Sequence, residues 1–330
     1  MRTTSVASET ASVGFLLIPN FSMIAFSTAV EPIRIANRLS GTPLYSWTVI
    51  SKDGWPVRAS NGIGVNVDRS MEDLKRDYPN TKLFDILVVC SGLGVERYRD
   101  DDTFAWLRRI ERQGTKIGAV CTGAYVLARA KLLDGYSCAI HWENLPGFME
   151  TFPDIAVSAD LFEVDRNRLT SSGGTAALDM MLHLISENHG SKLATAVSEQ
   201  CLLDRMRSPH DRQRLPLRAR LGIHNPTLIS AIEMMEANIA EPLAQDELAR
   251  FVGLSRRQLE RLFRKHLGRS PGQYYMELRL DRARHLLYQS EMPIVDVALA
   301  SGFVSASHFS KCYRQMYGRS PRDERVTADT

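Results

Sequence analysis

The chain has 330 residues, 41 Lys and Arg against 38 Asp and Glu, and a formal net charge of +3. Apolar residues make up 44% and charged residues 24%, an ordinary globular composition that excludes wholesale disorder. At about 150 residues per domain the length calls for two domains, and the longest clean apolar run, Val13 to Pro19, falls short of the ~20 residues a bilayer requires.

Residues 1–12, half of them Ser or Thr, read as a disordered tail without a signal-peptide core. From Val13 to about His189, short β-rich runs alternate with amphipathic stretches. The expected strands are Val13–Pro19, Tyr45–Ser51, Phe84–Cys90, Lys116–Val120 and Ser137–His141; the expected helices include Ala25–Leu39, Asp101–Gln113 and Gly123–Leu132. Buried strands separated by helices predict a parallel sheet covered on both faces. Ile155–Ser158 and Leu161–Asp165 read as an added strand pair before a helix at Thr175–Glu187, which Ser171–Thr175 would cap.

Within this region KIGAVCTGAYVLA places Cys121 between a strand and a helix, the context of a nucleophile elbow, with Gly123 allowing the turn. A thiol at a helix N-terminus is expected to be more acidic than a free cysteine. His141 and Glu143 follow, so the components of a nucleophilic triad are present, although a buried cysteine and a structural histidine have the same spacing. His141-x-Glu143 lacks a third ligand, and the five cysteines (Cys90, Cys121, Cys138, Cys201, Cys312) form an odd set without Cys-x-x-Cys spacing. No disulfide framework, metal or cofactor is expected, and the expected compartment is the cytoplasm.

The stretch from Asp204 to Arg220 carries six arginines against two aspartates and two prolines, and reads as an exposed basic connector. The expected organisation is a first domain over residues 13–203, a linker over 204–225 and an all-helical domain over 226–330. That last domain repeats itself. Gly-Arg-Ser-Pro occurs at 268–271 and at 318–321, and Ser255, Leu259 and Phe263 are mirrored 50 residues later by Ser305, Phe309 and Tyr313. The turn before each serine contains Gly253 or Gly302, and the second turn is one residue longer. Each unit predicts a helix–turn–helix with Ser255 or Ser305 as N-cap. Helical arithmetic turns Leu259, Leu262 and Phe263 inward, and Arg257, Glu260, Arg261 and Arg264 outward. The second unit presents Ser307, His308, Lys311 and Arg314. From Ser255 to Arg269 there are six basic residues and one acidic, a local +5. Two capped helices with an apolar inner face and a basic outer face suit major-groove reading of double-stranded DNA.

The stretch RARHLLYQSEMPIVDVALASGFVSASHFSKCYRQMYGRSPRDER resembles the signature region of AraC/XylS-type transcription regulators. The resemblance implies two helix–turn–helix units in successive major grooves, with Arg257, Glu260 and Arg261 and then Ser307, His308 and Lys311 at the bases. Residues from Val13 to about His189 resemble a DJ-1/PfpI domain, an α/β flavodoxin-like fold of the class I glutamine-amidotransferase type. In that fold a Glu on the first helix approaches the elbow cysteine, and the matching position here is Glu31. Thr122 stands where the peptidase branch has His after the cysteine, which argues against proteolysis. The fusion is typical of GlxA-type regulators, in which the former enzyme pocket senses a metabolite.

IPNFSMIAFSTAVEPIRIANRLSG, AIHWENLPGF and LTSSGGTAALDMMLHLISENHG further resemble the glycine-betaine-responsive branch, while carnitine-responsive relatives share much of the pattern. A quaternary ammonium is recognised by aromatic faces and carboxylates. Trp142, Phe21 and Glu31 are the candidate cage, with His141 beside it and the effector carboxylate facing Cys121. The resemblance implies an activator, not an enzyme, that works with promoter DNA, a betaine-like or dimethylglycine effector and RNA polymerase. A homodimer is compatible with it, and no membrane partner is expected. Carnitine or arginine response, residual Cys121-dependent hydrolase or glyoxalase-like activity, and a purely architectural helical module are the competing readings.

Overall fold

The computed structural model describes residues 10–328 and divides into two compact units, 1–213 and 214–330. The first nine residues of the expected tail lie outside the described residues, whereas Ala11 and Ser12 already belong to the first strand. In the first unit the order is β1 (Ala11–Leu17), α1 (Met23–Ser40), β2 (Tyr45–Ser51), β3 (Val57–Arg58), β4 (Gly64–Val65), β5 (Arg69–Ser70), α2 (Met71–Asp77), β6 (Ile86–Ser91) and α3 (Asp101–Arg112). It continues with β7 (Lys116–Cys121), α4 (Gly123–Arg129), β8 (Ser137–Ala139), α5 (Leu145–Thr151), β9 (Ala156–Ser158), β10 (Phe162–Asp165), β11 (Arg168–Ser171), α6 (Ala176–His189) and α7 (Ser191–Gln200).

Seven strands form one sheet in the order β10-β11-β7-β6-β1-β2-β5, parallel except for β10 against β11. Side chains of a strand alternate between faces, so β1 sends Val13, Phe15 and Leu17 into one core and Leu16 into the other. The first core takes α1 and α6 through Ala29, Ile33 and Met181; the second takes α3 and α4 through Trp106, Leu107 and Val126. Both faces are thereby covered, as a parallel sheet requires.

Two strand expectations are corrected. β8 is outside the main sheet and pairs with β9, so Ile155–Ser158 and Leu161–Asp165 do not pair with each other. The place beside β7 is taken by β11, which no apolar run announces because Arg168 heads it. That guanidinium is buried, donating to Leu132 O at 2.5 Å and Glu111 at 3.0 Å while lying 4.3 Å from the Tyr136 ring centre. A two-residue turn with Arg166 at φ 56° folds β11 back against β10.

The basic connector is mostly exposed and contains the unit boundary, and only the linker character of its start is corrected. Its first half is bound to the first unit. The Leu161 amide donates to Pro209 O at 2.8 Å, His210 Nδ1 lies 2.8 Å from Asp160, and Gln213 Nε2 donates to Ile140 O at 2.9 Å and Asp160 O at 2.8 Å. The unit boundary falls after Gln213.

The second unit is helical: α8 (Leu217–Leu221), α9 (Pro226–Ala237), α10 (Gln245–Phe251), α11 (Arg256–Leu267), α12 (Pro271–Gln289), α13 (Ile294–Ala300), α14 (Ala306–Tyr317) and α15 (Pro321–Ala328). Leu228, Ile232, Leu248, Leu259 and Phe263 make one core, and Leu286, Val297, Phe303, Phe309 and Tyr313 make another. The helix α12 feeds both, through Tyr274 and Tyr275 at its start and Leu280 to Leu287 further on. The repeated Gly-Arg-Ser-Pro now has a physical meaning. Gly268 and Gly318 end α11 and α14 at φ 71° and 73°, the left-handed conformation only glycine adopts freely. Ser270 and Ser320 then accept from the amides of Gln273 and Asp323, and the prolines open α12 and α15.

Candidate functional site

Cys121 ends β7 with φ 60°, so the strained residue of the elbow is the cysteine itself and not Gly123. Gly123 serves close packing instead, because a Cβ there would lie 2.4 Å from Val89 O. Gly173 closes the other side: a Cβ on it would sit 2.6 Å from that of Cys121. Thr122 Oγ1 donates to Gly92 O at 2.7 Å, and Gly92 pairs with Phe21 in an isolated bridge.

Burial dominates the thiol. It pushes the Cys121 pKa up to about 11, against hydrogen bonds from the Thr122 amide and the Ser22 hydroxyl, and the charge of Glu143 acts in the same direction as burial. The expectation of an acidic thiol is corrected, since desolvation outweighs the first turn of a seven-residue helix. His141 lies 3.9 Å from Glu143 by its Nδ1, and burial lowers its pKa although Glu143 pulls the other way. No hydrogen bond joins Cys121 to His141 among the described residues. Trp142 is half-buried, its ring 5.7 Å from that of His141. His141, Trp142 and Glu143 thus lie together on the turn after β8, and the charge of Glu143 is the weakest of the influences on the Cys121 thiol.

Two sequence candidates lie elsewhere. Glu31 is exposed and paired with Arg34 at 2.6 Å, on the side of α1 that meets Cys201. The α1 residue beside the elbow is Thr28, whose hydroxyl donates to Gly174 O at 2.7 Å. Phe21 is fully buried, its ring packed edge-on against Phe26 at 5.6 Å, so it is a core residue and offers no open face. Ser22, Thr28 and Gly173 were not singled out as site residues from the sequence, whereas Glu143 was named there with His141 as a component of a possible triad. Only Ser22 carried a signal there, as an N-cap before the apolar run of α1. The Ser171–Thr175 stretch does not cap α6 through a side chain; the Thr175 hydroxyl accepts from Arg207 at 2.7 Å instead.

The second site lies on α11 and α14. Ser255 accepts from the Gln258 amide at 3.3 Å and Gln258 returns the bond, a capping box, while Ser305 accepts from the His308 amide at 3.4 Å. Gly253 and Gly302 take φ 70° and 76°. Leu259 and Phe263, like Phe309 and Tyr313, are buried. Arg257, Arg261, Arg264, Ser307, His308, Lys311 and Arg314 are exposed, as the helical arithmetic requires. Glu260 is half-exposed and held by Arg264 at 3.1 Å, so its charge is partly neutralised within the helix. Arg261 and Lys265 line a groove of mixed character with Asn225, Thr227, Gln258, Leu254 and Leu262. His308 Nε2 lies 3.4 Å from the Cys312 thiol.

The pattern of the DJ-1/PfpI family matches residues 12–187, and that of a helix-turn-helix domain matches residues 248–326. The HTH-type transcriptional regulator GbdR of Pseudomonas aeruginosa is 50% identical over 95% of this chain and 84% of its own length. The HTH-type transcriptional regulator GlxA of Rhizobium meliloti is 36% identical over 97% of both. Among solved structures, an AraC family transcriptional regulator from Pseudomonas putida superposes with a TM-score of 0.52 at 30% identity, covering 58% of this chain and 99% of its own.

Proposed function

This chain belongs to the DJ-1/PfpI-bearing, AraC-type helix-turn-helix transcriptional regulators, and from that premise we propose how its two units divide the work. The second unit reads promoter DNA through α11 and α14. The first unit binds a small quaternary-ammonium metabolite, glycine betaine or dimethylglycine, and the complex activates genes for its breakdown. The effector choice rests on the resemblance to the betaine-responsive branch and on the half-buried Trp142 that stands between His141 and Glu143 in the sequence, since aromatic rings and carboxylates recognise a cation that cannot donate hydrogen bonds. Phe21 and Glu31 are left out of this cage, and Cys121, His141, Trp142 and Glu143 remain.

The observation that carries sensing over catalysis is the state of Cys121. Desolvation pushes the Cys121 pKa up to about 11 and, among the described residues, no hydrogen bond joins it to His141, which favours a protonated thiol near neutral pH. Dimerisation, RNA polymerase contact and a cytoplasmic location belong to the same proposal. Calorimetric titration of the full chain with betaine, dimethylglycine, carnitine and arginine tests the effector. Heat from betaine or dimethylglycine supports it, heat from carnitine or arginine alone moves the chain to another branch, and no heat from any of the four overturns the assignment.

A further inference from the structure

We propose that Val304 is a specificity-determining residue that packs against the 5-methyl group of a thymine in the DNA major groove; the inference rests on the DNA-reading role of the second unit. The two helix–turn–helix units differ at this point. In the first, Leu254 directly precedes the N-cap Ser255 and is half-buried against the core. In the second, Phe303 takes the core position at 1% exposure, and the additional residue, Val304, stands before the N-cap Ser305 with 97% of its surface open.

A lone exposed valine is unremarkable by itself, since apolar residues are scattered over every protein surface. Its setting is what gives it a role. The turn that carries it is held tightly: Arg279 donates to Ser301 O at 3.0 Å and to Gly302 O at 2.6 Å, and its guanidinium lies 4.1 Å from the Phe303 ring centre. A Cβ on Gly302 would fall 2.4 Å from Ile239 O, so the turn is pressed against the preceding segment. On the other side the Ser305 cap fixes the start of α14. The side chain is therefore presented by an immobilised backbone while making almost no contact of its own.

Residues at the N-terminal end of a recognition helix are those that reach base edges. Val304 stands at that end of α14, beside the exposed Ser307 and His308. It neither donates nor accepts a hydrogen bond, and the one apolar group among the four base pairs in the major groove is the thymine methyl. The corresponding end of α11 offers Arg256, Arg257 and Gln258, all polar, so the thymine preference falls in one half-site only.

The test starts by enriching duplexes from a random-sequence pool with the full chain, then replaces each thymine of the enriched site by deoxyuridine, which removes only the methyl group. In the wild type, one uridine position in the half-site read by the second unit is expected to weaken binding about fourfold, the worth of burying one methyl-sized group. In Val304→Ser that position is expected to bind thymine and uridine alike, while uridine elsewhere behaves as in the wild type. A flat uridine scan of the wild type, or an unchanged penalty in Val304→Ser, overturns the role of Val304 and leaves DNA reading intact. A pool from which no sequence is enriched overturns the DNA reading itself and this inference with it.

Discussion

Arg207 closes on Asp179 from three directions: its backbone amide and Nε each lie 3.0 Å from a carboxylate oxygen, and its Nη2 lies 2.6 Å away. Asp179 sits in the first turn of α6 with its side chain 1% exposed, so a charge buried in the sensing unit is satisfied by the segment that leads out of it. Losing one partner of a fully buried pair costs about 3–5 kcal/mol, because the other charge remains desolvated. Arg207 is about one-third exposed, which lets water reach the gap, and Arg207→Ala is expected to destabilise the first unit by about 2 kcal/mol. Urea unfolding measures this, and trypsin reports whether the segment around Arg205 and Arg212 comes loose. An unchanged midpoint with unchanged cleavage would show that the contact holds nothing in place.

A second buried charge organises the DNA-reading unit. Glu324 of α15 is fully buried and faces Arg284 of α12 at 3.1 Å, Arg319 at 3.5 Å and the hydroxyl of Tyr288. Glu324→Gln keeps the shape and removes the charge, leaving two cations without their anion. Because Arg284 and Arg319 are 43% and 45% exposed and water can take over their charges, the expected loss is about 1 kcal/mol, read as a lower denaturant midpoint for the second unit.

On the DNA side, Arg261→Ala is expected to weaken binding to an enriched site by ~1–3 kcal/mol and to relax the preference at one position. Lys311→Ala should do the same in the other half-site. Affinity should also fall steeply with salt, because phosphate neutralisation supplies much of the energy. Footprints of both variants identical to wild type would move the reading surface away from α11 and α14.

The helical unit was legible almost residue by residue, since Leu259, Phe263, Phe309 and Tyr313 are spaced by the period of the helix itself. The parallel sheet was legible for β1, β2, β6 and β7, whose apolar runs are long. It was not legible for β11, where a buried arginine is paid for by Leu132, Glu111 and Tyr136, all distant in sequence. Glu31 failed because only packing decides which side of α1 meets the elbow. With Ala25, Ala29 and Ile33 in the core, Thr28 turns to Gly174 and Glu31 to solvent. The elbow at Cys121 could be read from its strand–helix context, but the state of its thiol could not, because burial depends on the whole fold.

For the effector site, Trp142→Ala is expected to weaken betaine binding at least tenfold, about 1.4 kcal/mol, which one desolvated cation–π contact can supply. DNA binding without effector should stay near wild type, since α11 and α14 belong to the other unit. Unchanged calorimetric affinity would make Trp142 a packing residue.

Cys121 separates a sensor from an enzyme. With its pKa near 11, against 9.0 for an ordinary thiol, the folded protein holds the thiol proton more tightly than the unfolded chain does. The stabilisation this gives is fully present below pH 9 and is lost as pH rises through 11. Alkylation by iodoacetamide, followed at each cysteine by mass spectrometry, should therefore be slow at Cys121 near neutral pH and accelerate toward pH 11. A sensor needs the thiol only as a polarizable contact, so Cys121→Ser should still respond to effector in a transcription assay. A catalytic thiolate would behave in the opposite way, reacting fast near neutral pH and losing turnover by orders of magnitude in Cys121→Ser. A sensor that consumed its effector would erase its own signal, so the two behaviours exclude one another. Steady loss of betaine or methylglyoxal with wild type, but not with Cys121→Ser, would reverse this conclusion.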